Sequence, residues 1–350
     1  MLPDYYNSQI AFDAKTSNPK YAIMPSGFSH KIGITMRFLI TGVAGFLGAP
    51  LANSLVSDGH SVVGLDDLST GDPDRLSPDV HLVRGDINDR PKLWTLLQGV
   101  DCVYHLAARV IVPESVLYPR EYNLVNVGGT VTLMEAMRDV GVKRVIFSSS
   151  GSIYGNQKNQ PMRETLRPHP QSPYAVSKLA AEYYIHTIGE LWKIETVILR
   201  VFNAYGPEQH LPPAHAPVIP YCIKQALDNG TIVVHGEGKQ TRDYVFVDDV
   251  VNAMMNAATT SGLNRLIINV GSGKETSVND IVKTVMDISD TKPEIVHNQH
   301  HDTGPSRMCA DISLAEKKMG YKPSVTLRQG LQKTMEMDKR FQNKKKPDNR

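Results

Sequence analysis

The stretch SPYAVSK, residues 172–178, sets Tyr174 four positions ahead of Lys178. On a helix that spacing puts both side chains on one face, one turn apart. Ser172 suits an N-cap and Pro173 the first helical position, so Tyr174 falls in the first turn. A phenolate is favoured there by the positive helix end, by the Lys178 ammonium and by any hydroxyl that donates to it. Tyrosine ionises near ~10, and bringing it close to neutrality takes about 4 kcal/mol. A buried cation in contact can supply that order of energy. The pair therefore has the makings of a general base for a sugar or alcohol hydroxyl. Its ordinary alternative is a helix surface with an aromatic stem and a solvated charge, so the rest of the chain must decide. The hydroxyl donor is expected in FSSSGSIYG, which follows a predicted strand and reaches the carboxyl edge of a sheet. Ser150 is the expected donor, and turn chemistry accounts for Ser148 and Ser149.

A second constellation lies near the start of the fold. FLITGVAGFLGAPLANSL places Gly42, Gly45 and Gly48 between a strand and a helix. Such glycines permit a tight turn and close approach of backbone to a pyrophosphate, with the helix N-terminus behind it. The spacing is G-x-x-G-x-x-G rather than G-x-G-x-x-G, and alone it is weak. Asp66, ending the next strand, adds a carboxylate for the ribose hydroxyls. It would repel a 2′-phosphate, which favours NAD over NADP. Asp86, ending the third strand, suits an adenine amino group or a helix N-cap.

Stepping along the chain, short apolar runs alternate with helical patterns from Arg37 onward. RFLIT, SVVGLDD, VHLVRGD, DCVYHLAA and RVIFSSS read as strands, and GAPLANSLVSDG and NVGGTVTLMEAMRDVG as helices. This βαβα alternation predicts an α/β fold, a doubly wound parallel (Rossmann) sheet with helices on both faces. After residue 204 a proline-rich loop leads to a helix at 220–229 and a strand at 231–235. YVFVDDVVNAMMNAA and RLIINVGS read as a return to the main sheet. SVNDIVKTVMDI and DISLAEKKMG read as helices of a smaller C-terminal α/β lobe. The expected division is an extension at 1–35, a dinucleotide-binding domain at 36–204 plus 244–271, a substrate lobe at 205–243 plus 272–335, and a tail at 336–350. A lobe over the carboxyl ends of a parallel sheet is where a substrate site belongs.

Lysine and arginine number 38 against 36 aspartate and glutamate, so the overall charge suggests neither a nucleic-acid nor a membrane partner. Cys102, Cys222 and Cys309 lie far apart, with no spacing that suits a metal, and suggest reduced thiols in a cytoplasm. No apolar run is long enough to span a bilayer. The first 35 residues lack the charged start, apolar stretch and cleavage site of a signal peptide.

Taken together, TGVAGFLG, DDLSTG, GDI, HLAA, NVGGT, SSSGSIYG, YAVSK, RVFNAYGP, GKQTRDYVFVDD and GPSRMCADISLA resemble the extended short-chain dehydrogenase/reductases, specifically nucleotide-sugar 4-epimerases. The resemblance runs from about Met36 to about residue 330. It implies catalysis by Tyr174 and Lys178 with help from Ser150, and NAD regenerated in each turnover. It implies cofactor contacts from Gly42, Gly45, Phe46, Leu47 and Gly48, then from Asp66, Asp67, Ser69, Thr70 and Gly71. Asp86, Ile87, Leu106, Ala107 and Ala108 follow, with Asn126, Ser148 and Val201 beside Tyr174 and Lys178. It implies a UDP-sugar held by Ser150, Ser152, Tyr174, Asn203 and Val218, with Arg242 and Arg307 on the diphosphate. It also implies a homodimer formed by the helix of NVGGTVTLMEAM and the Tyr174 helix.

Two departures from the pattern bear on the reaction. Related 4,6-dehydratases carry an Asp-Glu pair after the Ser/Thr, and related decarboxylases keep the Glu. This chain has Gly151 and Ser152 there. Without that acid/base, elimination and decarboxylation lack a proton carrier, whereas epimerisation at C4 needs only a base and a hydride acceptor. Val110 stands where some epimerases have a lysine near the cofactor. Met308 is smaller than the tyrosine found there in some relatives, which leaves room for an N-acetyl group. The rival readings are another NAD-dependent reaction on the same scaffold, such as a reductase, and a non-enzymatic NAD-binding regulator. Regulators of that kind typically lose the Tyr or the Lys, and this chain keeps both.

Overall fold

A computed structural model of the chain describes residues 35–299 and 304–342. The expected N-terminal extension, apart from Thr35, lies outside the described residues. Twelve strands follow in order: β1 (Arg37–Thr41), β2 (Ser61–Asp66), β3 (His81–Arg84), β4 (Cys102–His105), β5 (Arg144–Ser150), β6 (Glu195–Val201), β7 (Asn203–Tyr205), β8 (Thr231–His235), β9 (Thr241–Phe246), β10 (Leu266–Val270), β11 (Glu275–Ser277) and β12 (Glu294–Asn298). The helices are α1 (Gly48–Ser57), α2 (Arg90–Leu96), α3 (Val112–Leu117), α4 (Pro119–Asn123), α5 (Gly129–Val140), α6 (Pro173–Trp192), α7 (Val218–Leu227), α8 (Val247–Thr259), α9 (Val278–Ser289), α10 (Ser313–Met319), α11 (Leu327–Met337) and α12 (Lys339–Gln342).

The main sheet has the order β10-β6-β5-β4-β1-β2-β3, and every pairing in it is parallel. Its strands are Val, Leu and Ile runs because both faces are covered. In β1, Phe38 and Ile40 enter one core with Leu51, Tyr104 and Leu199, while Leu39 enters the other with Leu133, Val145 and Ile198. This alternation is the pleat of a strand packed on two sides. The order reverses between β1 and β4, and the crevice outside their carboxyl ends is the natural ligand site of such a sheet.

Two smaller sheets follow in the chain. β11, β9 and β7 form one of three strands, and β12 pairs with β8 in the other. Here the structure corrects the sequence reading. Tyr244–Phe246 does not return to the main sheet but pairs with Asn203–Tyr205. Helix α8, which follows it, does pack on β5 and β6. Pairing partners of a three-residue strand are non-local, and an apolar triplet carries no mark of which sheet it joins. The chain also stays folded past 336: Phe341 of α12 is buried and Asp338 is fully so. The tail expected at 336–350 thus includes packed residues up to 342, and 343–350 lie outside the described residues.

Candidate active site

Helix α6 starts as its sequence dictates. Ser172 Oγ accepts from the Ala175 amide at 3.1 Å, and Pro173 occupies the first turn. Tyr174 and Lys178 are both buried on the face toward the sheet, and both line a cleft of 570 Å³. Ser150, last residue of β5, lines the same cleft, with its hydroxyl placed to favour the Tyr174 phenolate by hydrogen bonding. The Lys178 ammonium sits 4.5 Å above the Phe147 ring. Tyr122 meets the Tyr174 ring edge-on, with centroids 6.4 Å apart. These contacts replace the solvated-surface alternative for the Tyr-x-x-x-Lys pair.

The electrostatics differ from the expectation of a phenol already made acidic by its neighbour. Burial holds Tyr174 above its ordinary value, and the Ser150 hydrogen bond offsets this only in part. Burial also lowers Lys178 to about 7, with the Glu182 carboxylate opposing the change. Desolvation dominates because both groups are withdrawn from water together.

The glycine loop closes the other wall. Gly42 has φ 72°, and a Cβ there would lie 2.8 Å from the Ala107 amide nitrogen. A Cβ on Gly48 would strike the Gly42 carbonyl and come 2.8 Å from Val43 Cα. The turn thus has no room for side chains, as a backbone cradle for phosphate requires. Asp66 is fixed by two amides, Ala44 and Leu68, each at 2.9 Å. Burial raises its pKa, and those two bonds counter the rise. Gly45, Phe46, Leu47, Asp67, Ser69, Thr70, Asp86, Ile87, Leu106, Ala107, Ala108, Ser148 and Val201 also line the cleft, as does Val110. Gly71 packs behind it, against Ala44 and Asp66.

Asn126 has a different place from the one expected. It is buried in a π-helical segment, Leu124–Gly128, that leads into α5. Its Oδ1 accepts from the Arg109 amide at 2.8 Å, and its Nδ2 donates to Ser177 Oγ at 2.9 Å. Ser177 in turn donates to the Tyr174 carbonyl. Asn126 therefore ties the segment after Ala108 to the backbone of Tyr174.

Of the residues expected on the sugar side, Ser150 and Tyr174 line this cleft; Ser152, Asn203, Val218, Arg242 and Arg307 do not, although Phe202 and Ala204, on either side of Asn203, do. Ser152 Oγ is buried and has no hydrogen-bond partner among the described residues. Asn203 donates to the Asp243 carbonyl at 3.3 Å, and Val218 begins α7. Arg242 donates to the Thr241 and Pro305 carbonyls. Arg307 is half exposed and ion-paired with Glu275. The 306–308 segment is bonded to Thr241, which brings both arginines to one end of β9. Met308 packs with Ile153, Tyr154 and Phe202. Among the described residues no group of His, Cys, Asp and Glu could hold a metal.

Sequence reasoning missed the groups behind the pair. Ser149 donates to Glu182, and Arg200 grips the same carboxylate at 3.0 and 2.7 Å. Two signals were present: Glu182 repeats the four-residue step from Lys178, and Arg200 is a charge inside an apolar strand.

Residues 38–271 match the NAD dependent epimerase/dehydratase family. The chain belongs to that family. It is 38% identical over 318 residues to the UDP-glucose 4-epimerase of Mycolicibacterium smegmatis, covering 88% of this chain and 99% of that one. It superposes on the crystal structure of the UDP-glucose 4-epimerase of Thermotoga maritima with UDP-glucose at a TM-score of 0.82. That match has 33% identity and covers 85% of this chain and 97% of that one. The UDP-glucose 4-epimerase of Thermus thermophilus, solved with NAD, matches at 0.79 with 31% identity over 85% of this chain and 97% of that one. The family is NAD-dependent, and the glycine cradle and Asp66 fit the dinucleotide: Gly42–Gly48 would take its phosphates and Asp66 its adenosine ribose.

Proposed function

We propose that the chain inverts C4 of a UDP-hexose through a transient 4-keto sugar. The observation that carries this reading is the convergence of Ser150, Tyr174 and Lys178 in the cleft walled by the glycine loop and Asp66. Tyr174 takes the proton of the sugar 4′-hydroxyl, and Ser150 holds the phenol oxygen by a hydrogen bond. When bound, NAD would supply the hydride acceptor for C4. Lys178 holds a proton near Tyr174, and Glu182 favours its charged form. The keto sugar must then turn over, which calls for a firmly held diphosphate and a loosely held hexose. Arg242 and Arg307 can supply charge-assisted bonds at the firm end. Arg307 would have to leave Glu275 to do so. Ser152 Oγ, buried and unpaired, suits a sugar hydroxyl. Gly151 and Ser152 offer no carboxyl group for elimination.

The unit that works is a homodimer in this reading. Val176, Tyr183, Tyr184 and Leu191 recur along one face of α6 and are all exposed. Val116, Leu117 and Leu124, on elements that pack against α6, are exposed as well. Three unpaired cysteines fit a reducing cytoplasm. The test is incubation with UDP-glucose, UDP-galactose, their N-acetyl forms and UDP-glucuronate, with products resolved by chromatography. Interconversion at C4 of at least one pair supports the reading. Accumulation of NADH, or a dehydrated or decarboxylated product, refutes it.

A further inference from the structure

The cleft has a second set of side chains that catalysis does not use. Arg75, Glu208, His210, Lys339 and Arg340 line it together with the glycine loop. They come from three separate stretches, yet Arg75, Glu208 and Arg340 are linked through Asp338. Asp338 is fully buried and accepts from the Glu208 amide at 2.7 Å. It also holds its own neighbour Arg340, at 2.9 and 2.6 Å. Glu208 stands at φ 58°, a conformation non-glycine residues adopt rarely and which the Asp338 bond helps to hold. Its carboxylate meets Arg75 Nε at 2.8 Å, with both side chains mostly out of water. Arg75 in turn reaches the carbonyl of Gly45 in the phosphate loop at 3.4 Å. The C-terminal end of the described chain is thereby linked, residue by residue, to the loop that cradles phosphate.

We propose that Asp338, Glu208 and Arg75 form a clasp that retains the dinucleotide, with Arg75 as the cation at the phosphate loop and the other two as positioning residues. An epimerase that regenerates its cofactor within each turnover gains nothing from releasing it, so a slow exit suits this family's chemistry. The clasp also places cations at the cleft, since Arg75, Lys339 and Arg340 all line it. The inference rests on the cofactor reading of the cleft and is independent of which hexose is used.

The test is the rate at which bound NAD leaves the full-length protein, followed by displacement with labelled NAD. Glu208→Gln keeps the backbone amide that Asp338 binds and removes only the ion pair with Arg75. Losing a charge partner in a largely buried pair shows mainly as faster dissociation, here roughly tenfold. Asp338→Asn should release NAD at a similarly raised rate. The double variant should be no faster than the faster single one, because both break one chain of contacts. Unchanged release in Glu208→Gln overturns the clasp, and so does a double variant whose effects multiply. If Asp338→Asn does not fold, Arg75→Gln paired with Glu208→Gln supplies the same cycle. Loss of C4 inversion without a change in NAD release bears on the proposed reaction and leaves the clasp standing.

Discussion

Glu182 and Arg200 form a bidentate ion pair in the core, with both side chains almost wholly excluded from solvent. The pair joins α6, which carries Tyr174 and Lys178, to β6. Ser149 completes it from β5, and the Arg200 guanidinium lies 4.8 Å from the Tyr154 ring. Glu182→Ala would strand a buried guanidinium, a change that costs about 3–5 kcal/mol. Urea denaturation should show that loss. Replacing both residues by methionine should restore much of it, since removing both charges is far cheaper than removing one. A single variant as stable as wild type would contradict the packing described.

Lys178 makes stability depend on pH. In the folded chain it loses its proton at about 7, whereas an unfolded lysine holds it to 10.5. Through that window the unfolded chain binds more protons, so stability rises with pH. Below it both states are protonated and the buried charge is a standing cost. On protein stripped of NAD, the gain in stability from about pH 7 to about pH 9 should therefore be smaller in Lys178→Met than in wild type. Parallel pH profiles would show that Lys178 keeps an ordinary affinity for its proton.

Gly48 has no space for a methyl group, since its Cβ would meet backbone atoms that cannot swing aside. Gly48→Ala should fold with a displaced glycine loop and lose NAD during purification. The ratio of absorbance at 260 to 280 nm reports it directly, and nucleotide content equal to wild type would refute the cradle.

Removing the phenol oxygen tests the base. Tyr174→Phe keeps the ring packed against Tyr122 and should retain NAD. Its kcat should fall by at least the 10²–10⁴-fold that general base catalysis contributes, as a rough scale. Substantial residual turnover would assign the proton to another group.

Much of this fold could be read from local pattern. Strands β1 to β5 carry apolar runs, and their alternation with helices predicts the parallel architecture. The cap of α6 was legible because Ser172 and Pro173 act within one turn of the residues they position. What escaped the sequence depends on distance along the chain. The partner of Tyr244–Phe246 is decided by packing, and Asp338 meets Glu208 across 130 positions. Asn126 braces Arg109 and Ser177, a role set by the π-helical turn around it. Spacing reveals that two groups meet, but the depth of burial, which governs the pKa values of Tyr174 and Lys178, emerges only when the sheet and helices close around them.

The central claim is that C4 is oxidised and reduced in place, with the hydride kept inside the protein. UDP-hexose carrying deuterium at C4, incubated in ordinary water, tests it most directly. The expected product is inverted at C4 with the deuterium still on that carbon. Inverted product in which solvent hydrogen has replaced the label, or no inversion at C4 with any UDP-hexose, would contradict it.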